Sequence, residues 1–346
     1  MAFKIVCAGD FHLKIRDSYD IPSETRLERR LKNLDACIKK AIDWGADMFI
    51  CLGDSFDIPE PSSRLRAELT KRIARLMMSR IEVRWLIGNH ESTRTWHALM
   101  PEKEIFSGSI IIDTVLEESI EGLRVFHVPY FSEQKKEIHE QINKIAQEPG
   151  NKLVFGHFGI TGAKRLSGQE NKFDLDSEVE RTQLSSFEHV YIGHYHIPQD
   201  VDNITVVGST VRNNFGEMGY MPRGLFITIE GVRITHKDLP LHDVNFVKHN
   251  LEEGNKLIPK PTESGIYQYI LTGTTSWIAQ TARMLESYST NDNRIDTVPR
   301  ATDRKQNQDR PPDMTINNAM QKYVDELKDT SEHGSFFKKG VELLNG

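Results

Sequence analysis

Five short segments of the chain bring together residues that bind metals. They are Gly9-Asp10-Phe11-His12, Gly53-Asp54-Ser55-Phe56-Asp57, Gly88-Asn89-His90-Glu91, Gly156-His157 and Gly193-His194-Tyr195-His196. Carboxylate oxygens, imidazole nitrogens and one amide oxygen make a mixed donor set with no thiolate. Such a set suits manganese, iron or zinc better than a structural zinc knot or a calcium site. Two ions need a bridging group, and Asp54, central in order among the ligands, is the natural one. The neutral Asn89 limits negative charge at a site that must still attract an anionic phosphate. Two ions about 4 Å apart lower the pKa of a shared water and clamp phosphoryl oxygens through an in-line displacement. His90, adjoining Asn89, is the candidate to stabilise the transition state or protonate the leaving alkoxide.

Each segment follows an apolar run: KIVCA, MFICL, VRWLI, KLVF and HVYI. Short apolar runs of this kind read as buried strands. Ligands at the C-terminal ends of strands converge on one sheet edge, where open α/β sheets place their sites. The glycine ahead of each ligand lets the backbone turn sharply. Taken singly, a Gly-Asp or Gly-His is a common turn, and a His-x-His is an ordinary pair of surface residues. Five such pieces in this order, each at a strand end, are not a chance pattern. His127, His139, His189, His236, His242, His249 and His333 lack this context and read as core or surface histidines. His97, close behind His90, stands between a cleft wall and the core.

The strands that carry these segments are expected at residues 3–8, 47–52, 83–87, 153–155 and 189–192. Further strands are expected at 110–113, 123–129, 205–207 and 224–229. Helices are predicted over 24–44, capped by Ser23 and ended by Gly45, from Ser62 or Ser63 to 79, and over 133–147. The second helix carries Leu65, Leu69, Ile73 and Leu76 on one face. Strand–helix alternation followed by a run of strands predicts a layered α/β domain with a mixed β-sheet over residues 1–243. The texture then changes. A strand at Tyr267–Leu271 and a helix at Trp277–Tyr288 predict a small second domain over 244–298. Residues 289–312 are polar and read mainly as a linker, with one short strand near Arg294–Val298. Beyond the linker, Ile316, Ala319, Met320, Tyr323, Val324 and Leu327 follow helical spacing. Phe336, Phe337, Val341 and Leu344 suggest a second short helix. Such an apolar pair needs cover, from its own domain or from a partner.

A length of 346 residues has room for two or more units. With 38% hydrophobic and 27% charged residues, the composition fits a soluble globular protein. No apolar run reaches the ~18 residues of a membrane span. The N-terminus lacks the pattern of a signal peptide. Cys7, Cys37 and Cys51 have no metal-site spacing and read as buried thiols in a reducing cytoplasm. A net charge of −6 argues against a grip on nucleic acid over the whole surface, though not against a local basic groove.

The five segments resemble the calcineurin-like metallophosphoesterase superfamily, with its D-x-H, G-D-x-x-D, G-N-H-[DE], G-H and G-H-x-H motifs. The resemblance covers roughly Phe3 to Ile197. It implies a first metal on Asp10, His12, Asp54 and His196, and a second on Asp54, Asn89, His157 and His194. It makes His90 the catalytic histidine and places Glu91 where many members carry aspartate. Asp57 would orient His90 or a ligand. Two divalent ions are implied, manganese first, with magnesium, iron or zinc as alternatives.

Within the superfamily the chain is similar to SbcD-like DNA repair nucleases, partners of SbcC-type ATPases. Val207-Gly208-Ser209-Thr210, Asn214-Phe215-Gly216-Glu217 and Leu239-Pro240-Leu241 with Phe246-Val247 carry this narrower likeness. It implies a nuclease domain at 1–243, a small α/β capping domain at 244–298, a polar linker at 299–313 and C-terminal helices at 314–346. Those helices would dock on the ATPase. The activity implied is metal-dependent hydrolysis of DNA phosphodiester bonds in repair, recombination or replication, in the cytoplasm of a bacterium or a phage-infected host. Lys14, Arg16, Arg94, Lys164, Arg165, Arg212 and Arg223 follow the metal motifs and are candidate DNA contacts, with solvated surface charge as the competing account. The helix bearing Leu65 packs on the core or helps form a homodimer, as is common in the family. Two other readings stay open. One is another phosphoesterase, acting on phosphoprotein or cyclic nucleotide. The other is a non-catalytic module that keeps the metals for structure.

Overall fold

The computed structural model describes residues 2–15, 20–21, 24–106, 110–131, 135–164, 179–255, 257–261, 265–288 and 293–301. The elements run β1 Phe3–Ala8, α1 Arg26–Trp44, β2 Met48–Cys51, α2 Ser63–Met78, β3 Glu82–Leu86, α3 Met100–Ile105 and β4 Ile111–Ile112. Next come β5 Leu116–Ile120, β6 Leu123–Val128, α4 Lys135–Gln147, β7 Lys152–His157, β8 His189–Gly193, β9 Gln199–Val201 and β10 Ile204–Val206. The chain continues through β11 Arg223–Glu230, β12 Arg233–Pro240, β13 Asn245–Glu252, β14 Gly265–Gly273, α5 Thr275–Glu286 and β15 Asn293–Ala301.

Two mixed sheets form the main body, in the orders β12-β11-β1-β2-β3-β4 and β5-β6-β7-β8-β10-β9. Their inner faces meet. Ile5, Ile50, Leu52 and Leu86 of the first pack with Val125, Leu153, Phe155 and Tyr191 of the second, all fully buried. Burial of a large apolar side chain contributes about 1.5–3 kcal/mol, so this interface is a principal source of stability. The outer face of the first sheet is covered by α1 and α2, whose Leu34, Ile38, Leu69 and Ile73 lie over Phe49 and Trp85. Helix α4 covers the second sheet through Ile138, Ile142 and Ile145. The layered mixed α/β fold expected from the sequence is therefore observed.

Local signals explain the helix ends. Thr25 caps α1, and with Glu28 it closes a capping box. Ser23, the cap expected from sequence, lies outside the described residues. Gly45 ends the helix in the left-handed region at φ 63°, where glycine has no Cβ penalty. The α2 stripe of Leu65, Leu69, Ile73 and Leu76 is buried in the core. It is thus not exposed to a second copy of the chain.

A third, all-parallel sheet β13-β14-β15 packs against α5 through Leu251, Tyr269, Leu271, Ile278 and Leu285. Strand β15 is longer than the short piece expected within the linker: it pairs with β14 from Asn293↔Gly265 to Ala301↔Gly273. Backbone pairing overrides its polar composition, and Ile295 supplies an apolar contact. This unit touches the main body where Phe246 and Ile266 meet Ile21, with Phe215 and Val244 alongside. The remaining linker and the C-terminal helices expected at 314–346 lie outside the described residues.

Most of the histidines set aside as ordinary make local contacts. His127 meets Glu118 at 2.6 Å, His189 meets Thr205 at 2.9 Å, and His139 meets Gln183 at 3.0 Å. His236 lies 3.1 Å from the Tyr191 hydroxyl, and His249 lies against the Tyr269 ring. His97 is a core residue whose Nε2 lies 3.2 Å from Asp113. His333 is outside the described residues. The three cysteines are free and buried. Among the described residues no helix is long and apolar enough to cross a membrane.

Candidate active site

Strands β1, β2 and β3 run parallel in one sheet, and β6, β7 and β8 run parallel in the other. All five ligand-bearing segments leave the C-terminal ends of these strands, so the two sheets deliver their ligands to one shared edge. The loops after β1 and β2 stay paired beyond the strands. Asp10 N donates to Gly53 O at 3.0 Å and His12 N to Asp54 O at 2.9 Å.

The backbone here is strained. Asp10, His12, Asp54 and His194 have φ of 51°, 48°, 51° and 88°. Non-glycine residues in this left-handed region cost about 1–2 kcal/mol each. Four candidate ligands sharing that cost mark a place where geometry is held for a purpose other than stability.

Three groups of side chains converge; one joins His12, Asp57 and His90, and the other two gather the expected ligands. In the first of those two, the ligand atoms of Asp10, His12 and His196 all lie within 4.8 Å of one another. The Nε2 atoms of His12 and His196 are 3.0 Å apart, and Asp10 Oδ1 is 4.0 Å from His196 Nε2. The second group joins Asp54, His157 and His194. Asn89 Oδ1 completes it, 2.9 Å from His157 Nε2 and 2.8 Å from His194 Nδ1. Asp54 Oδ2 faces both groups, 3.7 Å from His12 Nε2 and 3.5 Å from His157 Nε2. The atom expected to bridge does lie between them.

The donor chemistry fits cations. His157 Nδ1 donates to Leu52 O at 2.6 Å, and His196 Nδ1 donates to Glu217 Oε1 at 2.8 Å. In a neutral imidazole this leaves each Nε2 a bare lone pair. Those nitrogens lie near other potential ligand atoms: Asn89 Oδ1 and Asp54 Oδ2 for His157, His12 Nε2 and then Asp10 for His196. Acceptors crowded against acceptors need a cation among them. Two carboxylates against two divalent ions would leave net positive charge, which favours an anionic phosphate.

A proton is the simplest such cation, and His157 and His196 hold one more tightly than usual. Burial lowers the His157 pKa, but the Asp54 charge and hydrogen bond outweigh it and push it up to about 9. His196 is likewise raised to about 8 against burial, chiefly by Glu217. His12 and His194 are lowered by burial to about 4 and about 3. Burial raises Asp10 to about 7. For Asp54, burial is opposed by His157 and the other histidines, which hold the carboxyl far below its ordinary value.

His90 stands on the open side of the site, with its side chain 41% exposed. Its backbone N donates to Asp54 Oδ1 at 2.9 Å, and its ring meets the His12 ring edge-on at 4.6 Å. Asp57 lies closer to the ligand His12, at 3.3 Å from Nδ1, than to His90, at 3.9 Å. Glu91 is fully buried and accepts from Gly88 N and Phe56 N, both at 3.0 Å, fastening the third loop to the second.

The glycines act differently from the expected sharp turns. Of the five preceding the ligands, only Gly53 has a positive φ, at 98°. The others are needed for space. A Cβ at Gly88 would overlap Asp54 Oδ1, and one at Gly193 would lie 3.0 Å from Asp10 Oδ2.

The basic candidates divide. Arg94 is exposed on the loop after His90, and Lys164 is exposed as well. Lys14 Nζ is 2.8 Å from Asp57. Arg16 and Arg165 lie outside the described residues. Arg212 does not fit the expected DNA contact. It is buried, and its guanidinium donates to Tyr220 O and Val244 O at 2.9 and 3.1 Å. Arg223 is engaged by Asp238, Val206 O and Val207 O. Sequence reasoning missed Glu217 as a partner of His196. Its signal was present in the Phe215-Gly216-Glu217 segment, noted only for its likeness to a family stretch.

A family model described as calcineurin-like phosphoesterase matches residues 3–198. The DNA double-strand break repair protein Mre11 of Methanosarcina mazei is 26% identical over 269 residues. That alignment takes in 73% of this chain but 41% of the relative, so the chain spans about two fifths of the relative's length. Among solved structures, a purple acid phosphatase from yellow lupin seeds matches with a TM-score of 0.45 at 12% identity, over 69% of this chain and 52% of the other. A dimetal phosphatase from Danio rerio matches at 0.39 and 13% identity, over 69% and 98%. The match over residues 3–198 takes in all seven candidate ligands and His90, and the chain belongs to the calcineurin-like phosphoesterase family.

Proposed function

We propose that this chain is a metal-dependent DNA nuclease that hydrolyses phosphodiester bonds, and that it works with an SbcC-like ATPase engaged by residues 314–346. The observation that carries the hydrolytic half is the pair of ligand groups sharing Asp54 Oδ2. DNA as substrate is supported by the similarity to Mre11. Its 269 aligned residues extend past the 3–198 matched by the family model.

Bound at this edge, two divalent ions supply positive charge for the phosphoryl oxygens and acidify water at neutral pH. Manganese is the ion proposed, one that the oxygen and imidazole donors accept as they do iron and zinc. The chain's own part is placement. Leu52 O and Glu217 set the tautomers of His157 and His196. His90 faces the open side, where a scissile phosphate enters, and is placed to donate a proton toward the leaving oxygen. Asp57 O, 3.4 Å from His90 Nδ1, restrains the ring. Glu91 keeps the His90 loop seated on the loop that carries Asp54.

The test is digestion of blunt linear DNA with manganese, with and without the ATPase. Degradation that the partner enhances is the expected result. Vigorous turnover of phosphoprotein or cyclic nucleotide with none of DNA would overturn the proposal.

A further inference from the structure

Glu217 sits in the turn between β10 and β11, on the side of the main body that meets β13. Its two oxygens do different jobs. Oε1 accepts from His196 Nδ1 at 2.8 Å, and Oε2 accepts from the backbone N of Asn213 at 2.6 Å. The carboxylate therefore closes the turn on itself while gripping the ligand ring. Asn213 anchors the turn from the other side. Its Oδ1 accepts from Arg26 and Arg30 of α1 at 2.7 and 3.1 Å, and its amide donates to Ser209 Oγ at 3.2 Å. Two residues before Glu217, the Phe215 ring meets the Phe246 ring of β13 edge-on at 5.1 Å. Phe246 is 4% exposed and packs in one cluster with Ile266 and Ile21. Edge-to-face aromatic pairs of this kind contribute about 0.5–1.5 kcal/mol beyond burial.

Among the described residues no hydrogen bond or ring contact of the second ligand group reaches β13–β15. His157 is set by Leu52 O, a backbone atom of the loop leaving β2. One half of the site is thus oriented from within the sheets. The other is oriented by a turn that rests on α1 on one side and on Phe246 of β13 on the other.

We infer that the turn Asn213–Glu217 ties the first ligand group to the second domain, with Glu217 as a positioning residue for His196 and Phe246 holding the turn in place. A shift of the second domain then changes how tightly the Asp10–His12–His196 group holds its ion. This rests on the metal reading of the site, but not on DNA being the substrate.

The experiment is calorimetric titration of the full chain with manganese(II), alongside thermal unfolding. Glu217→Gln keeps the size of the side chain and removes its charge. It is expected to weaken one of two ions on the order of 10–100-fold and leave the other unchanged. Phe246→Ala is expected to weaken the same ion several-fold. In the double variant the loss should not exceed that of Glu217→Gln alone, because both changes act through one turn. Should Phe246→Ala loosen the second domain, Phe246→Leu retains bulk without the ring edge and must still weaken that ion alone. Equal weakening of both ions, or unchanged uptake in Glu217→Gln, overturns the positioning role. Additive losses in the double variant overturn the link to the second domain. No manganese uptake by the unaltered chain overturns the metal reading of the site, and this inference with it.

Discussion

Asp54 Oδ2 stands 3.5 Å from His157 Nε2 and 3.7 Å from His12 Nε2, nearly equidistant from two histidines that belong to different ligand groups. A single oxygen so placed makes the two halves interdependent. Asp54→Asn should therefore lose both ions, whereas Asp10→Asn should keep the ion held by Asp54, Asn89, His157 and His194. Metal analysis after dialysis distinguishes the two. Retention of one ion by Asp54→Asn would show that its carboxylate serves one group only.

His90 stands outside the two groups that gather the expected ligands, sharing a third with Asp57 and His12. Its substitution by Asn should leave metal content intact and lower the turnover rate on the order of 10²–10⁴-fold. Rate measurements at saturating manganese check this. A rate loss that follows metal loss would reassign His90 to the ligands.

Glu91 is a staple. Two backbone N–H groups, of Gly88 and Phe56, depend on its carboxylate within the core. Glu91→Ala should cost about 2–4 kcal/mol, since each buried donor left unpaired costs about 1–3 kcal/mol and partial relaxation recovers some of it. Urea unfolding measures the change, and Glu91→Gln, which keeps an acceptor oxygen, should recover part of it.

Gly88 has no room for a methyl group, because a Cβ there would overlap Asp54 Oδ1. Gly88→Ala should displace the bridging carboxylate and reduce affinity for both ions. The strands behind it should remain in place, and circular dichroism with a manganese titration separates the two effects.

The Glu118–Arg84 pair gives a pH dependence away from the metals. Burial raises the Glu118 carboxyl, but hydrogen bonds from His127 and Arg84 outweigh it and hold the carboxyl at about 2, below its ordinary 4.5. Arg84, 2.5 Å away and always charged, is the dependable part of that effect. A depressed acid contributes stability that is present above its unfolded pKa and lost as pH falls through the folded one. The loss should therefore develop between pH 4.5 and about 2. After allowance for solvent screening it amounts to about 1–2 kcal/mol. Glu118→Gln should flatten this part of the stability curve, and acid titration of the unfolding midpoint checks it.

Much of the site was legible because its ligands sit where apolar runs stop. The ends of KIVCA, MFICL and HVYI are visible in the sequence, and the buried strands coincide with them. Strands with one wet face were not legible. β5 (LEESI) and β12 (RITHKDLP) are polar for much of their length, and they are held by pairing with β6 and β11 rather than by burial. The role of Glu217 was hidden for another reason. It lies 21 residues beyond His196, and only the fold brings that carboxylate to the ring. Arg212 and Arg223 show the reverse error. Basic residues next to a motif look free in sequence, but here they satisfy carbonyls that the turns leave unpaired.

The ligands come from both sheets, with β1, β2 and β3 on one side and β7 and β8 on the other. Away from this edge the two layers meet mainly through apolar side chains. Such contacts are non-directional, and a few polar pairs, Arg84 with Glu118, Arg223 with Val206 O and Tyr191 with His236, supply the directed ones. Ions gripped from both sides would act as rivets across that seam. The seam should then become the last place to part when the protein is heated in manganese, and the first when a chelator is added.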